Sequence, residues 1–238
     1  MSGRLYLLPN LLGIVAPDRV LPEGTLAVAR RLRRFVVENP KPARAFLKSL
    51  ALEVPIASLS IDALPAQPTR EQCAALLEPT RHGEDVAMLS DAGCPGVADP
   101  GAAMVAAAHR ASVPVIPLVG PSSVLLALMA SGLNGQSFTF HGYLPVAAEA
   151  RARKLRSLDE DVARTGATQL FIETPYRNQA MLAAALATCR GDTELCVAAD
   201  LTLPTEWIAT APIAAWRHRA LPELNKRPAI FLLGRTAA

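Results

Sequence analysis

The run Val86 to Gly101, VAMLSDAGCPGVADPG, sets two carboxylates, Asp91 and Asp99, in a loop rich in glycine and proline directly behind a short apolar stretch. Carboxylates placed this way can accept a proton, pair with a cation or cap a helix. Gly93, Gly96 and Gly101 remove side chains so that backbone can approach a bound molecule, and Pro95 and Pro100 hold the loop's shape. The pattern reads as a strand feeding a ligand loop, because open α/β sheets bind ligands beyond the carboxyl ends of their strands. A tight turn carrying surface carboxylates would use the same residues. Two further strand-end loops, Pro9 to Gly13 and Gly120 to Ser123, are expected at the same sheet edge and would complete a small-molecule cleft with the hydroxyls of Ser122 and Ser123.

That cleft lacks the fingerprints of two common ligand classes. No GxxxxGK[ST] phosphate loop and no GxGxxG motif occurs. Cys73, Cys94, Cys189 and Cys196 form no CxxC pair and the four histidines no HExxH arrangement, so no metal site is expected. The cysteines read as reduced, buried thiols, with Cys94 the exception because it lies in the loop.

The elements that must position these loops follow from periodicity. Arg4 to Leu8 is a first strand. Thr25 to Glu38 reads as one helix with Val28, Leu32, Phe35 and Val36 on its apolar face and Arg30, Arg31, Arg33 and Arg34 opposite. A second helix starts near Pro42, and Thr69 with Gln72 forms a capping-box signature ahead of Cys73 to Leu77. Asp99 and Pro100 then read as N-cap and first turn of an Ala-rich helix to Ala111. Val113 to Val119 is a strand, Val124 to Ala130 a helix stopped by Gly132, and Ser137 to Leu144 a strand. After a linker at Pro145 to Glu149 come a basic helix from about Arg151 to Arg164, a strand Gln169 to Glu173, and a helix to Cys189. Strands Glu194 to Ala199, Trp207 to Thr210 and Ala229 to Gly234, with a helix Ile213 to Leu221, finish the chain. The expected fold is α/β in two domains, residues 1–145 and 146–238, the first sheet mainly parallel and the second mixed.

The segments LSDAGCPGVADPG, VIPLVGPSSVLLALMASGL, FHGYLP and FIETPYRN together carry a resemblance. The chain resembles the tetrapyrrole (corrin/porphyrin) methylase superfamily. Within it the chain is most similar to the small-subunit ribosomal-RNA methyltransferases that act on a cytidine ribose 2′-oxygen, whose patterns take the forms SDAGTP…SDPG, PGPSA and ESPHR. The resemblance implies a cofactor, S-adenosylmethionine, bound folded in a cleft between two α/β domains of a homodimer. It implies cofactor contacts from Pro9, Asn10 and Leu11, from Asp91, Ala92, Gly93, Cys94 and Val97, and from Ser122 and Ser123. From the second domain it implies Glu173, Thr174, Tyr176, Ala199, Pro228 and Ala229. The chain departs from the branch at two places, carrying Leu8-Pro9-Asn10-Leu11-Leu12-Gly13 for a turn of the type TPIGN and Val37-Glu38-Asn39-Pro40 for AEDTR. A sister subfamily acting on a tetrapyrrole or another small molecule, and a non-catalytic cofactor-binding protein, therefore stay open.

Methyl transfer to a hydroxyl or a carbon acid is helped by a base that removes a proton as the methyl arrives. Asp91, Asp99, Glu173 and His141 are candidates. Asp99 as a simple helix cap and His141 as a satisfied strand residue are the competing readings. A hydrolase using Ser122 or Ser123 with His141 lacks the GxSxG elbow. Net charge is only +3 but arginine clusters, including Arg151, Arg153, Lys154 and Arg156, could steer a phosphate backbone or be solvated helix faces. No membrane-spanning segment and no secretory leader is expected, so the reading places the protein in the cytoplasm, with small-subunit ribosomal RNA as a candidate partner.

Overall fold

The structure, a computed structural model, describes residues 2–236. It divides into two units, 1–122 and 123–238.

In the first unit, strands β1 (Leu5–Leu8), β2 (Arg34–Val37), β3 (Ser60–Ala63), β4 (Val86–Leu89) and β5 (Val115–Pro117) form one sheet in the order β3-β2-β4-β1-β5. Every pairing is parallel. A parallel sheet must be covered on both faces, which is why β1 and β4 throughout, and β2 from Phe35 on, are apolar instead of alternating. Their residues still sort by face. Tyr6, Leu8, Phe35, Val37, Ala87 and Leu89 pack with residues of helices α1 (Glu23–Arg31) and α2 (Pro40–Ser49). Leu5, Val36, Val86 and Met88 pack with α3 (Arg70–Arg81) and α4 (Gly101–Arg110).

The helix expected over Thr25 to Glu38 is instead a helix ending at Arg31 followed by β2. Leu32 leaves the helix with ψ 148°, and Phe35, Val36 and Val37 become a fully buried strand. A short apolar run fits both periods, and the β-branched pair decides for the strand once parallel partners are available. The arginine cluster is accordingly not one helix face. Arg30 pairs with Glu23 at 2.7 Å, Arg33 with Glu53 at 3.3 Å and Arg34 with Glu84 at 2.5 Å. Strand β3, on the sheet edge, was not anticipated from sequence. The capping box at Thr69 and Gln72 forms with both reciprocal hydrogen bonds.

The second unit holds β6 (Phe138–Tyr143), β7 (Thr168–Ile172), β8 (Glu194–Ala199), β9 (Trp207–Pro212) and β10 (Ala229–Gly234) in the order β6-β7-β10-β8-β9. Only β6 with β7 is parallel; the other pairings are antiparallel. Helices α6 (Ala148–Thr165), α7 (Asn178–Thr188) and α8 (Ile213–Trp216) bury Leu155, Leu158, Val162, Met181, Leu182 and Trp216 against Phe171, Val197 and Phe231. Phe171 and Phe231 stack with centroids 5.6 Å apart. Helix α5 (Ser123–Ser131) packs on β8, β9 and β10. Because α5 and β6 both belong to this sheet, the units divide after Ser122, ahead of the linker expected at Pro145. Helix α6 ends at Gly166, whose φ of 70° caps it in the left-handed conformation. Helix α8 stops at Trp216, short of the expected Leu221, with the indole N–H donating to Leu195 O at 2.8 Å. All four cysteines are free, three of them buried, and burial pushes the Cys189 thiol up to about 12.

Candidate functional site

Strands β4, β1 and β5 are neighbours, so the loops leaving their carboxyl ends meet. Asn10 and Gly93 exchange backbone hydrogen bonds, N–H to O at 2.9 Å in one direction and 3.2 Å in the other. The Asn10 side chain, 5% exposed, donates to Ser90 O and Asp91 O at 2.9 and 3.1 Å and accepts from Leu11 N–H at 2.8 Å. Asparagine is the one side chain of this size that can do both, which explains its place at the end of β1. The Cys94 thiol donates to Pro121 O at 3.4 Å, joining the β4 and β5 loops. Pro9, Asn10, Leu11, Asp91, Ala92, Gly93, Cys94, Val97 and Ser122 thus all belong to the loop ends of one unit.

Gly120 is required by the same convergence. A Cβ there would lie 2.4 Å from Pro9 Cβ and 3.0 Å from Leu21 Cδ2. A Gly120→Ala variant is expected to lose about 1–3 kcal/mol by overpacking, read by urea unfolding, together with affinity for whatever the loops bind.

Asp99 does not cap α4 from the N-cap position as expected. Pro100 occupies that position without a side-chain bond, and Asp99 Oδ1 accepts from Gly96 N–H and Gly101 N–H, each at 2.7 Å. One carboxylate oxygen therefore closes the loop across Ala98, whose φ of 62° is left-handed for a residue with a Cβ. The other oxygen, Oδ2, is buried with no partner.

A third carboxylate, missed from sequence, completes the group. Glu38, just past β2, accepts the Asp91 backbone N–H at 2.9 Å. It was hidden because its segment read as helix. Burial holds Glu38, Asp91 and Asp99 above ordinary carboxylate values, and in Glu38 the charges of Asp99 and Asp91 add to burial. Folded-state values above unfolded ones mean that the native state binds the extra protons. Stability contributed here is therefore greatest at low pH and is lost as pH rises from the unfolded carboxylate values through the raised ones. Asp99→Asn should flatten that slope, measured by urea unfolding between pH 4 and 7. These carboxylates can accept a proton or face a cation, which suits base catalysis or a positively charged ligand. Among the described residues, no group of three or more His, Cys, Asp or Glu is placed to hold a metal ion.

In the second unit, Glu173 at the end of β7, Ala199 at the end of β8 and Ala229 at the start of β10 share a sheet edge, with Ala229 paired to Ala199 and Ile230 to Ile172. The Glu173 side chain is fully buried. Its Oε1 accepts from Thr174 N–H at 2.6 Å and from Arg177 Nε at 3.0 Å and Nη2 at 2.5 Å, while Oε2 has no partner. This bond set holds the turn that presents Tyr176, 75% exposed. Lys226 N–H donates to Pro175 O, Asn178 Nδ2 to Arg227 O and Asp200 N–H to Pro228 O, tying the remaining implied residues together. Arg227 pairs with Asp200 at 2.8 Å. Asn178, Asp200 and Arg227 were not anticipated; Asn178 alone sat within a noted motif. Ser123, the first residue of α5, falls in this unit and Ser122 in the other.

His141 Nε2 lies 2.7 Å from Gln169 Oε1, an acceptor only, so Nε2 carries the proton and is committed within the sheet. A serine hydrolase built on that histidine would have only Nδ1 left as its base.

A family model described as Tetrapyrrole (Corrin/Porphyrin) Methylases matches residues 15–216. A protein named ribosomal RNA small subunit methyltransferase I from Vibrio cholerae is 31% identical over 88% of this chain and 69% of its own length. The protein of that name from Micromonospora olivasterospora is 37% identical over 86% of this chain and 61% of its own, so this chain spans less than two thirds of it. Among solved structures, the methyltransferase CobJ covers 99% of this chain and is covered over 95% of its own, with TM-score 0.63 and 22% identity. A uroporphyrin-III C-methyltransferase from Thermus thermophilus, complexed with S-adenosyl homocysteine, has TM-score 0.53 and 20% identity over 98% of both chains. These two share the fold. The loops leaving β4 and β5 lie within a matched region that spans most of the sequence, and the chain belongs to the tetrapyrrole (corrin/porphyrin) methylase family.

Proposed function

We propose that this protein is an S-adenosylmethionine-dependent methyltransferase acting on small-subunit ribosomal RNA, at the ribose 2′-oxygen of a cytidine. The observation that carries the reading is the likeness, over 86–88% of the chain, to proteins named ribosomal RNA small subunit methyltransferase I. The donor set fits the cofactor. Three carboxylates raised by burial have no cationic partner among the described residues, and the orphaned Asp99 Oδ2 is one acceptor left over for a ligand. When bound, S-adenosylmethionine supplies a methyl group on a positively charged sulfur. Pro9, Asn10, Leu11, Asp91, Ala92, Gly93, Cys94, Val97 and Ser122 hold it from the first unit. The resemblance adds Ser123, Glu173, Thr174, Tyr176, Ala199, Pro228 and Ala229, which belong to the second unit.

The protein's own part is to position two ligands and take one proton. Asp99 Oδ1 and Glu173 Oε1 are committed to backbone and arginine donors and keep their loops in shape. Asp91, and Glu38 through the oxygen not bonded to the Asp91 N–H, are the carboxylates we assign to accept the hydroxyl proton.

Helix α6 supports a polyanionic acceptor. Arg151, Arg153, Lys154 and Arg156 gather in its first half, between Glu149 in the first turn and Asp159, Glu160 and Asp161 farther on. They follow the carboxyl end of β6 in the chain. The Arg153 to Glu149 contact, 3.9 Å between exposed side chains, neutralises little.

Label from methyl-labelled S-adenosylmethionine should enter small ribosomal subunits lacking the modification; label entering uroporphyrinogen instead moves the acceptor to a tetrapyrrole. Cofactor at a hundred times its Kd should stabilise the fold by about 2.7 kcal/mol in thermal unfolding. The protein works as a homodimer in the cytoplasm. Helix α5 supports the dimer, carrying no charge and leaving Leu125 52% and Met129 79% exposed one turn apart. Leu125→Glu with Met129→Glu should convert dimer to monomer in sedimentation analysis. Among the described residues no helix is long and apolar enough to cross a membrane.

A further inference from the structure

Helix α2 carries a cationic stripe that neither the motifs nor the candidate site absorbs. Lys41, Arg44 and Lys48 fall within about 60° of one another around the axis at 3.6 residues per turn, and all three are exposed. The opposite face buries Ala43, Phe46 and Leu47, so the stripe is held outward by the core. The helix contains no acidic residue, and none of the three cations forms an ion pair among the described residues. The contrast with Arg30, Arg33 and Arg34 is direct, since each of those has a glutamate partner.

Position gives the stripe its meaning. Asn39 caps α2, its Oδ1 accepting from Lys41 N–H at 3.2 Å, and Glu38 immediately before it holds the Asp91 backbone. The stripe therefore starts beside the carboxylates and runs away from them for about 10 Å along the helix at 1.5 Å per residue. Lys41 stands in the first turn, where the macrodipole already favours an anion. We propose that Lys41, Arg44 and Lys48 bind the phosphate backbone of the RNA acceptor flanking the methylated nucleotide. This rests on the ribosomal-RNA reading above. Flexible lysines and an arginine on an open helix face suit phosphates of a continuous strand, which bring affinity without reading bases.

The test is the triple variant Lys41→Gln, Arg44→Gln, Lys48→Gln, with in vitro transcribed, unmodified small-subunit ribosomal RNA as the probe. Binding is followed by fluorescence anisotropy from 50 to 200 mM salt, and S-adenosylmethionine binding by calorimetry. The expected result is a plot of log affinity against log salt flattened by about 2 to 3, since each lost phosphate contact removes roughly 0.7 to 0.9. KM for RNA should rise while kcat and cofactor binding are kept. An unchanged salt slope and KM overturn the inference. Salt-sensitive RNA binding that the variant loses, with no methyl transfer to the RNA by the parent, upholds the surface and overturns the acceptor reading alone. A parent that ignores RNA but binds phosphatidylserine vesicles through the stripe overturns both.

Discussion

An Arg177→Ala variant is expected to lose about 3 kcal/mol of unfolding free energy, the cost of leaving a buried carboxylate without its counter-ion. Glu173 has no exposed side-chain surface, and Arg177 supplies two of the three donors to its Oε1. Removing the guanidinium leaves only the Thr174 N–H. The loss should appear in urea unfolding at neutral pH. Arg177→Lys should recover only part of it, because an ammonium cannot reproduce the planar fork. The turn that presents Tyr176 loosens at the same time, so cofactor affinity falls with stability. An alanine variant as stable as the parent would mean that the buried pair holds nothing.

Asp99→Ala should reduce methyl transfer by about 100-fold, the scale of effect that follows when a positioning loop is released. The Gly96 and Gly101 amides lose their shared acceptor, which closes the loop around Ala98 in its left-handed conformation. Asp99→Asn separates scaffold from charge. Its amide oxygen can still accept both N–H groups, so it should keep cofactor binding and most of kcat if Glu38 or Asp91 takes the proton. A full loss in the asparagine variant, with cofactor binding intact in calorimetry, would move the base to Asp99.

Much of this arrangement was legible in the residues, and where it was not the reasons are specific. The β4 loop stood out because Gly93, Gly96, Pro95 and Pro100 restrict backbone in ways that few other residues do. The capping box at Thr69 was readable because both of its hydrogen bonds are local. Glu38 was not readable, since its role depends on β2 being a strand, and β2 forms only because β3 and β4 are there to pair with it. Asp200 and Arg227 were equally silent. They meet across the paired ends of β8 and β10, a contact set by strand register.

The order of apolar and polar residues alone determined two α/β units, the parallel and mixed sheets, and the loop carrying Asp91 and Asp99, because those properties depend on near neighbours in the chain. Only the tertiary structure decided which carboxylates stand together, which arginines are spent on internal pairs and which cations stay open on α2. Burial and ion pairing are set by residues far apart in sequence, and a change of one strand's partner rewrites them while leaving the local pattern untouched.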